Sequence, residues 1–365
     1  MPSFARRLAT ERPAEIAMRD PDQALTWAQI DDTLNRAANG LHALELGAAR
    51  RIAVFAENAV ETGLANLSGL IAGASVVPVN FHLTAEEVAY ILGDCDARVL
   101  FAGPQTLERA VAAAAQSNVS QIVAWADASA IADQNSSVPV FAWQDWLAAS
   151  SDEAPPEDIA PLPNLLYTSG TTGRPKGTEL PPTMFAGGST VAEHLHNLSQ
   201  SPLAALGPHL VVGPMYHTGP LSGTRLLAAG VCSTILTRFD AENTLRAIQE
   251  NQIGTSIMVP THFVRLLALP EAIKSQYDLS SLQLISHTGA KCPVDVKRAM
   301  IEWWGPVFND AYGASEVGTT CMITSAEWLE HPGSVGRAVE PFEAMILDDD
   351  NRPVPANHEG RLFFK

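Results

Sequence analysis

Short apolar runs and amphipathic helical stretches alternate along this chain at the pitch that parallel, helix-covered sheets require. RIAVFA (51–56), VVPV (76–79), RVLFAG (98–103) and QIVAWA (121–126) have the unbroken apolar character of strands buried on both faces. Between them, 60–72, 84–94 and 105–117 carry apolar residues at helical spacing. A helix over 25–48 precedes this block, with Thr26 as its cap and Gly47 closing it. The alternation resumes further on, with strands at 209–213, 231–236, 255–259 and 282–287 and helices at 241–252, 261–269 and 293–304. A helix over 183–198 starts indistinctly after Pro181 and Pro182. The pattern predicts an α/β protein with mainly parallel sheets. The acidic, Pro-rich segment 150–163 reads as an exposed connection, and 344–365 as a β-hairpin with a DDDN turn.

With 365 residues the chain has room for two or three compact units. Its net charge of -17 argues against general binding to nucleic acid or anionic lipid, yet leaves room for a nucleotide held by a local cationic cluster. The four cysteines form no CxxC pair and read as small core hydrophobes. The first residues, MPSFARRLATERP, lack a long apolar run, so neither a secretion signal nor a membrane anchor is expected, and the reading is cytoplasmic.

Chemistry concentrates in a few stretches. YTSGTTGRPKG (167–177) packs Thr168, Ser169, Thr171 and Thr172 around Gly170, Gly173 and Gly177, then adds Arg174 and Lys176. Glycines let successive N–H groups converge on anionic oxygens, and hydroxyls and cations complete a phosphate cradle. Lys176 is followed by Gly rather than Ser or Thr, so this is not the P-loop of kinases. PMYHTGP (214–220) puts His217 at the mouth of a strand, ringed by Tyr216 and Gly219, as a gate or substrate wall. NDAYGASEVG (309–318) offers Tyr312 as a flat face for a purine, Ser315 as a hydroxyl and Glu316 as a hard oxygen ligand for Mg²⁺. Nothing before residue 150 demands chemistry: Asn58 and Glu61 are better explained by a helix start.

These stretches, in this order, resemble the adenylate-forming (AMP-dependent synthetase and ligase) superfamily, in its acyl-CoA synthetase branch. The 167–177 run is similar to its phosphate loop, PMYHTGP to its Pro-x-x-His signature and NDAYGASEVG to its Tyr-Gly-x-Thr-Glu signature, with Ser315 in place of Thr. His287-Thr288-Gly289-Ala290-Lys291 resembles its Ser/Gly-Gly-Ala segment, and 73–100 its usual text in the first subdomain. The resemblance implies two helix-covered sheets, as α/β subdomains at 1–160 and 161–330, and the start of a β-rich subdomain at 331–365. It also implies that a C-terminal domain with an adenylate-forming lysine lies outside this sequence, which would then be a poorly active N-terminal fragment.

By resemblance, the reaction joins a carboxylic acid to ATP, releasing pyrophosphate, and then passes the acyl group of the acyl-adenylate to CoA, in fatty acid metabolism or a related process. ATP, Mg²⁺ and CoA are implied, with Thr168 and Glu316 on the metal and Lys176, His217, Ser315 and Glu316 at the reacting groups. The nucleotide would meet Thr168, Ser169, Gly170, Thr171, Thr172 and Gly173, then Gly289, Ala290 and Lys291, and then Asp310, Ala311, Tyr312, Gly313, Ala314 and Ser315. Asp310 stands where the family often has a base-contacting amide or Glu. The acid pocket would use His217, Thr218, Gly219, Ser222, Gly223, His262, Phe263, Gly289, Gly318, Thr319, Thr320 and Cys321. These are small or apolar and include no cation or acid to grip an α-ammonium group, which favours a hydrophobic fatty, alicyclic or aromatic acid. A homodimer is an expected assembly. A protein that only binds an acyl-adenylate, or an enzyme of the thioester half-reaction alone, are the alternatives.

Overall fold

The structure, a computed structural model, describes residues 5–168, 174–180, 187–314 and 316–365. The chain opens with the short helix Arg6–Glu11, followed by β1 (Ile16–Arg19), β2 (Ala24–Thr26) and the helix Trp27–His42. It continues through β3 (Arg51–Phe55), β4 (Ser75–Val79), β5 (Val99–Ala102), β6 (Gln121–Ala124) and β7 (Val140–Ala142). These last five strands form one parallel sheet in the order β4-β3-β5-β6-β7. Apart from Arg51, every residue of β3–β6 is buried, as their continuous apolar text requires. Local chemistry sets the helix starts. Thr26 with Gln29 and Thr84 with Glu87 form reciprocal capping boxes, and Asp240 accepts the Asn243 N–H.

A two-stranded hairpin follows, β8 (Leu165–Thr168) and β9 (Lys176–Glu179). Then come β10 (His209–Val211), β11 (Ser233–Ile235), β12 (Thr255–Met258), β13 (Leu284–His287), β14 (Phe308–Ala314), β15 (Gly318–Thr324) and β16 (Arg337–Ala338). Among the described residues these seven join β1 and β2 in a sheet of order β16-β15-β14-β13-β12-β10-β11-β1-β2. Its interior, from β14 to β1, is parallel, while β15, β16 and β2 are antiparallel additions at its edges. β17 (Ala344–Leu347) and β18 (Arg361–Phe364) make the expected terminal hairpin.

Three placements differ from the sequence reading. The chain before residue 46 belongs in part to the larger sheet: β1 lies parallel to β11, with Met18 opposite Ser233, and Arg12 Nη2 donates to Gly230 O at 2.7 Å. Sheet membership therefore does not follow a cut at residue 160. The helix expected over 25–48 stops at His42, because Gly47, at φ 69°, takes the turn that feeds β3. The helix expected from residue 183 is Val191–Ser199, capped by Thr190, and residues 181–186 lie outside the described residues. One hydrophobic core runs from Ile52 and Phe101 through the helices Trp27–His42 and Val60–Ile71 to Val211 and Ile235, so the two sheets are packed into one body.

Candidate active site

In parallel sheets, ligand sites form beyond the carboxyl ends of the strands. Here the loops after β10, β12 and β13, together with the β14–β15 hairpin and the end of β8, enclose a cavity of about 600 Å³. His217 caps the helix Thr218–Arg225 at the end of the β10 loop, and Thr218, Gly219 and Ser222 extend that wall. His262 comes from the helix after β12, and Gly289 from the turn after β13. Ala311, Gly313, Ala314, Gly318 and Thr319 come from the β14–β15 hairpin, and Thr168 from β8. Stretches separated by more than a hundred residues in sequence thus meet around one space. Ile257, Met258 and Val259 give it an apolar side.

Backbone approach explains the glycine at 313. A Cβ there would lie 1.9 Å from Gly318 O, so β14 and β15 could not pair across the bulge between Tyr312 and Gly313 with any larger residue. Tyr312 stands beside the cavity, 42% exposed, with its ring 6.5 Å from that of Phe364 in β18. Glu316 is exposed at the tip of the same hairpin. Thr168 faces Lys176 across the β8–β9 ladder, and the Lys176 side chain is exposed. The hairpin is pinned by the helix Ala85–Cys95: Tyr90 Oη donates to Pro175 O at 3.3 Å, and Tyr167 Oη donates to Asp94. Arg174 lies over the Tyr90 ring at 5.1 Å. Ser169, Gly170, Thr171, Thr172, Gly173 and Ser315 lie outside the described residues.

The histidines on the cavity wall are neutral. Burial and the nearby Arg265 hold His262 down to about 4; its Nδ1 accepts the Val259 N–H at 3.3 Å, and its ring stacks on Phe239 at 4.3 Å. Partial burial also lowers His217, which suits a wall better than an ion partner.

Several expected site residues are placed elsewhere. Phe263 is fully buried and makes edge contacts with His287 and Phe308 in the core, because it occupies the face of its helix that packs on the sheet while His262 turns to the cavity. Gly223 serves packing: a Cβ there would meet His209 Nε2 at 2.3 Å, so the glycine lets the helix Thr218–Arg225 cross β10. Thr320 is buried and donates to Tyr312 O at 3.2 Å, and Cys321 is buried behind the hairpin. Ala290 and Lys291 are exposed just past Gly289 and are not on the wall. Asp310 is engaged by Lys297 Nζ at 3.3 Å, with His287 Nδ1 at 3.6 Å, so its carboxylate is drawn into a cluster behind the strand. Lys297 is fully buried and lies 4.9 Å from the centre of the Trp328 ring.

Asn58 is the residue whose part the sequence reading missed. It is buried; its Nδ2 donates to Gly213 O at 2.9 Å and to Leu236 O at 3.0 Å, and its Oδ1 accepts the Met215 N–H at 2.8 Å. The side chain therefore ties the loop after β3 to the turn that carries His217. Phe81, from the loop after β4, supports the same turn through an edge contact with Tyr216 at 5.6 Å. No local pattern marks such a clamp, because its partners are backbone groups more than 150 residues away.

The family model for AMP-binding enzymes matches residues 5–365. An indoleacetate–CoA ligase of Aromatoleum aromaticum is 29% identical over 98% of this chain and 68% of its own length. A feruloyl-CoA synthase of an Amycolatopsis species is 28% identical over 99% of this chain and 68% of its own. Among solved structures, an amide bond synthetase of Marinactinospora thermotolerans superposes with a TM-score of 0.80 over 100% of this chain and 70% of that one, at 22% identity, a likeness of fold. With the match running from residue 5 to residue 365 and the fold shared along the whole chain, this protein belongs to the AMP-binding enzyme family.

Proposed function

We propose that the protein is an ATP-dependent acid–CoA ligase, acting on a hydrophobic carboxylic acid through its acyl-adenylate. The observation that carries this reading is the single cavity in which Thr168, His217, Gly289, Gly313 and Thr319 meet, bounded by the apolar residues Ile257, Met258 and Val259. The relatives named as ligases of indoleacetate and ferulate support an acid with a ring.

A carboxylate is a poor electrophile because its charge repels nucleophiles. An acid oxygen attacks the α-phosphorus of ATP, and the bond to pyrophosphate breaks, giving a mixed anhydride whose AMP can leave. The thiol sulfur of CoA then bonds to the acyl carbon, AMP departs with the electron pair, and the thiol proton passes to solvent. Concentrated negative charge is the obstacle in the first step, so donors and cations aimed at the phosphates are the natural stabilisers. Lys176 and Thr168, adjacent across the hairpin ladder, fill that role together with the 169–173 loop. The backbone at Gly289 and Gly313 accepts the flat base, with the exposed Tyr312 ring to stack on it, and Ser315 is assigned to the α-phosphate. Neutral His217 closes the acid side without adding a charge that would trap the substrate carboxylate.

No group of three metal-binding side chains occurs among the described residues, so a resident all-protein cage does not fit. A lone exposed carboxylate such as Glu316 does fit Mg²⁺ that arrives with nucleotide phosphates and keeps several waters. Mg²⁺ bound there would neutralise phosphate charge. No helix among the described residues is long and apolar enough to cross a membrane. A cytoplasmic, homodimeric enzyme is part of the same proposal, to be tested by fractionation and sedimentation. Acid-dependent exchange between pyrophosphate and ATP tests the chemistry. Exchange with ring-bearing hydrophobic acids, lost in Glu316→Gln together with Mg²⁺-dependent ATP binding, is expected. Unchanged Mg²⁺-ATP affinity in Glu316→Gln would remove the role given to that residue.

A further inference from the structure

A second chamber, about 120 Å³, lies behind the acid pocket and shares the walls Leu166, Thr218 and Ser222 with it. Its far side is formed by Leu180, Leu221, Asn164 and Arg225. Thr218, Ser222 and Arg225 recur at i, i+4 and i+7 of one helix and so share a face. Seven residues of helical rise, about 10 Å, separate Thr218 from Arg225.

Two polar side chains of the chamber, Arg225 and Asn164, have no hydrogen-bond partner among the described residues. Arg225 makes no hydrogen bond or ion pair among the described residues, and burial is the one influence on its acidity, lowering it to about 10 and leaving it charged at neutral pH. Asn164 is 4% exposed; its backbone carbonyl accepts the Leu180 N–H, while its side-chain amide has no hydrogen-bond partner among the described residues. Arg225 is only partly buried, so the cation and the amide present unpaired donors to the chamber, where water or a ligand supplies the acceptor. Ser222, whose hydroxyl donates to Gly219 O at 2.7 Å, accepts no hydrogen bond from Arg225 or Asn164.

We infer that Arg225 and Asn164 form a distal subsite for an oxygen acceptor on the acid, a carboxylate or a carbonyl at the end remote from the carboxyl group that is adenylated. This rests on the adenylation reading above and narrows it: the substrate is hydrophobic along its length and oxygenated at its far end. The sequence reading counted no cation in the acid pocket. Arg225 escaped it because the residue lies two turns beyond the His217 motif, where only the helical register from Thr218 reveals that it returns to the same face.

Calorimetric titration of the full chain with sulfamoyl-adenosine analogues of three nine-carbon acids tests the inference. One acid is plain nonanoate, one carries a keto group at its penultimate carbon, and one ends in a second carboxylate. The wild type is expected to bind at least one oxygenated analogue about ten-fold or more tightly than the plain one, the margin of a hydrogen bond to a charged partner. The better of the two names the group. In Arg225→Met that preference should collapse, and in Arg225→Lys it should survive in part for the dianionic analogue. A plain analogue bound as tightly as both oxygenated ones by the wild type would overturn the subsite while leaving adenylate binding intact. A preference undiminished in Arg225→Met would overturn it equally. Failure of all three to bind would remove the adenylation reading, and the subsite with it.

Discussion

The five-stranded sheet and the larger sheet both carry parallel strands flanked by helices, yet the described residues lining the main cavity run from Leu166 to Thr319, and none comes from β3–β7. The difference lies at the strand ends. Beyond β3 and β5, the chain turns its polar groups inward on itself: Thr106 Oγ1 donates to Phe55 O, and Glu57 Oε1 accepts the Gln105 N–H at 3.2 Å. Beyond β10 and β13, small residues such as Gly213 and Gly289 leave space, and the β8–β9 hairpin and the β14–β15 hairpin wall it in. Equal architecture yields a site only where strand ends stay open. The smaller sheet still takes part, because Asn58 reaches across to hold the turn before His217.

Acidification should separate the two sheets most sharply. His209, His262 and His287 all belong to the larger sheet or its helices, and burial holds them at about 4, about 4 and about 3. Unfolding returns each to an ordinary value near 6.5, so the unfolded chain binds more protons between the two limits. Stability is then fully present above about pH 6.5 and is lost as pH falls, by about 2 kcal/mol per histidine at pH 5. Hydrogen exchange at pH 7.5 and pH 5 should find β10, β12 and β13 losing protection ahead of β3–β6. Equal loss in both sheets would break the comparison.

Asn58→Ala comes next in size. It would leave Gly213 O, Leu236 O and the Met215 N–H buried without their partner, at about 2–4 kcal/mol in a urea titration. It should also weaken binding in the cavity that it never lines. Loss of stability with unchanged ligand affinity would reduce the clamp to a packing role. Thr84→Ala, a capping change within the smaller sheet's own helix, should cost about 1 kcal/mol and leave ligand affinity alone. Altered affinity in that variant would mean that loosening the helix start reaches the β8–β9 hairpin through Tyr90 and Asp94.

Much of this was legible in the sequence, for physical reasons that can be named. Thr84 with Glu87 announces a helix start because both partners of the capping box lie within one turn. The strands β3–β6 announce themselves because burial on both faces removes polar residues from them. The pairing of β1 with β11 was not legible, since it joins residues more than 200 positions apart and depends on the finished sheet. His262 and Phe263 are neighbours at the edge of an apolar helix face, and only packing decides which of them meets the cavity. Asp310 sits within the right motif, but its carboxylate is taken by Lys297, whose burial against Trp328 no local pattern foretells.

Hydrogen exchange of the full chain, with and without a tightly bound acyl-sulfamoyl-adenosine, tests the central claim most directly. The account predicts new protection at 213–219, 287–290 and 311–319, with β3–β7 unchanged. Binding accompanied by protection confined to the five-stranded sheet, or by none at the ends of β10, β13 and β14, would contradict it.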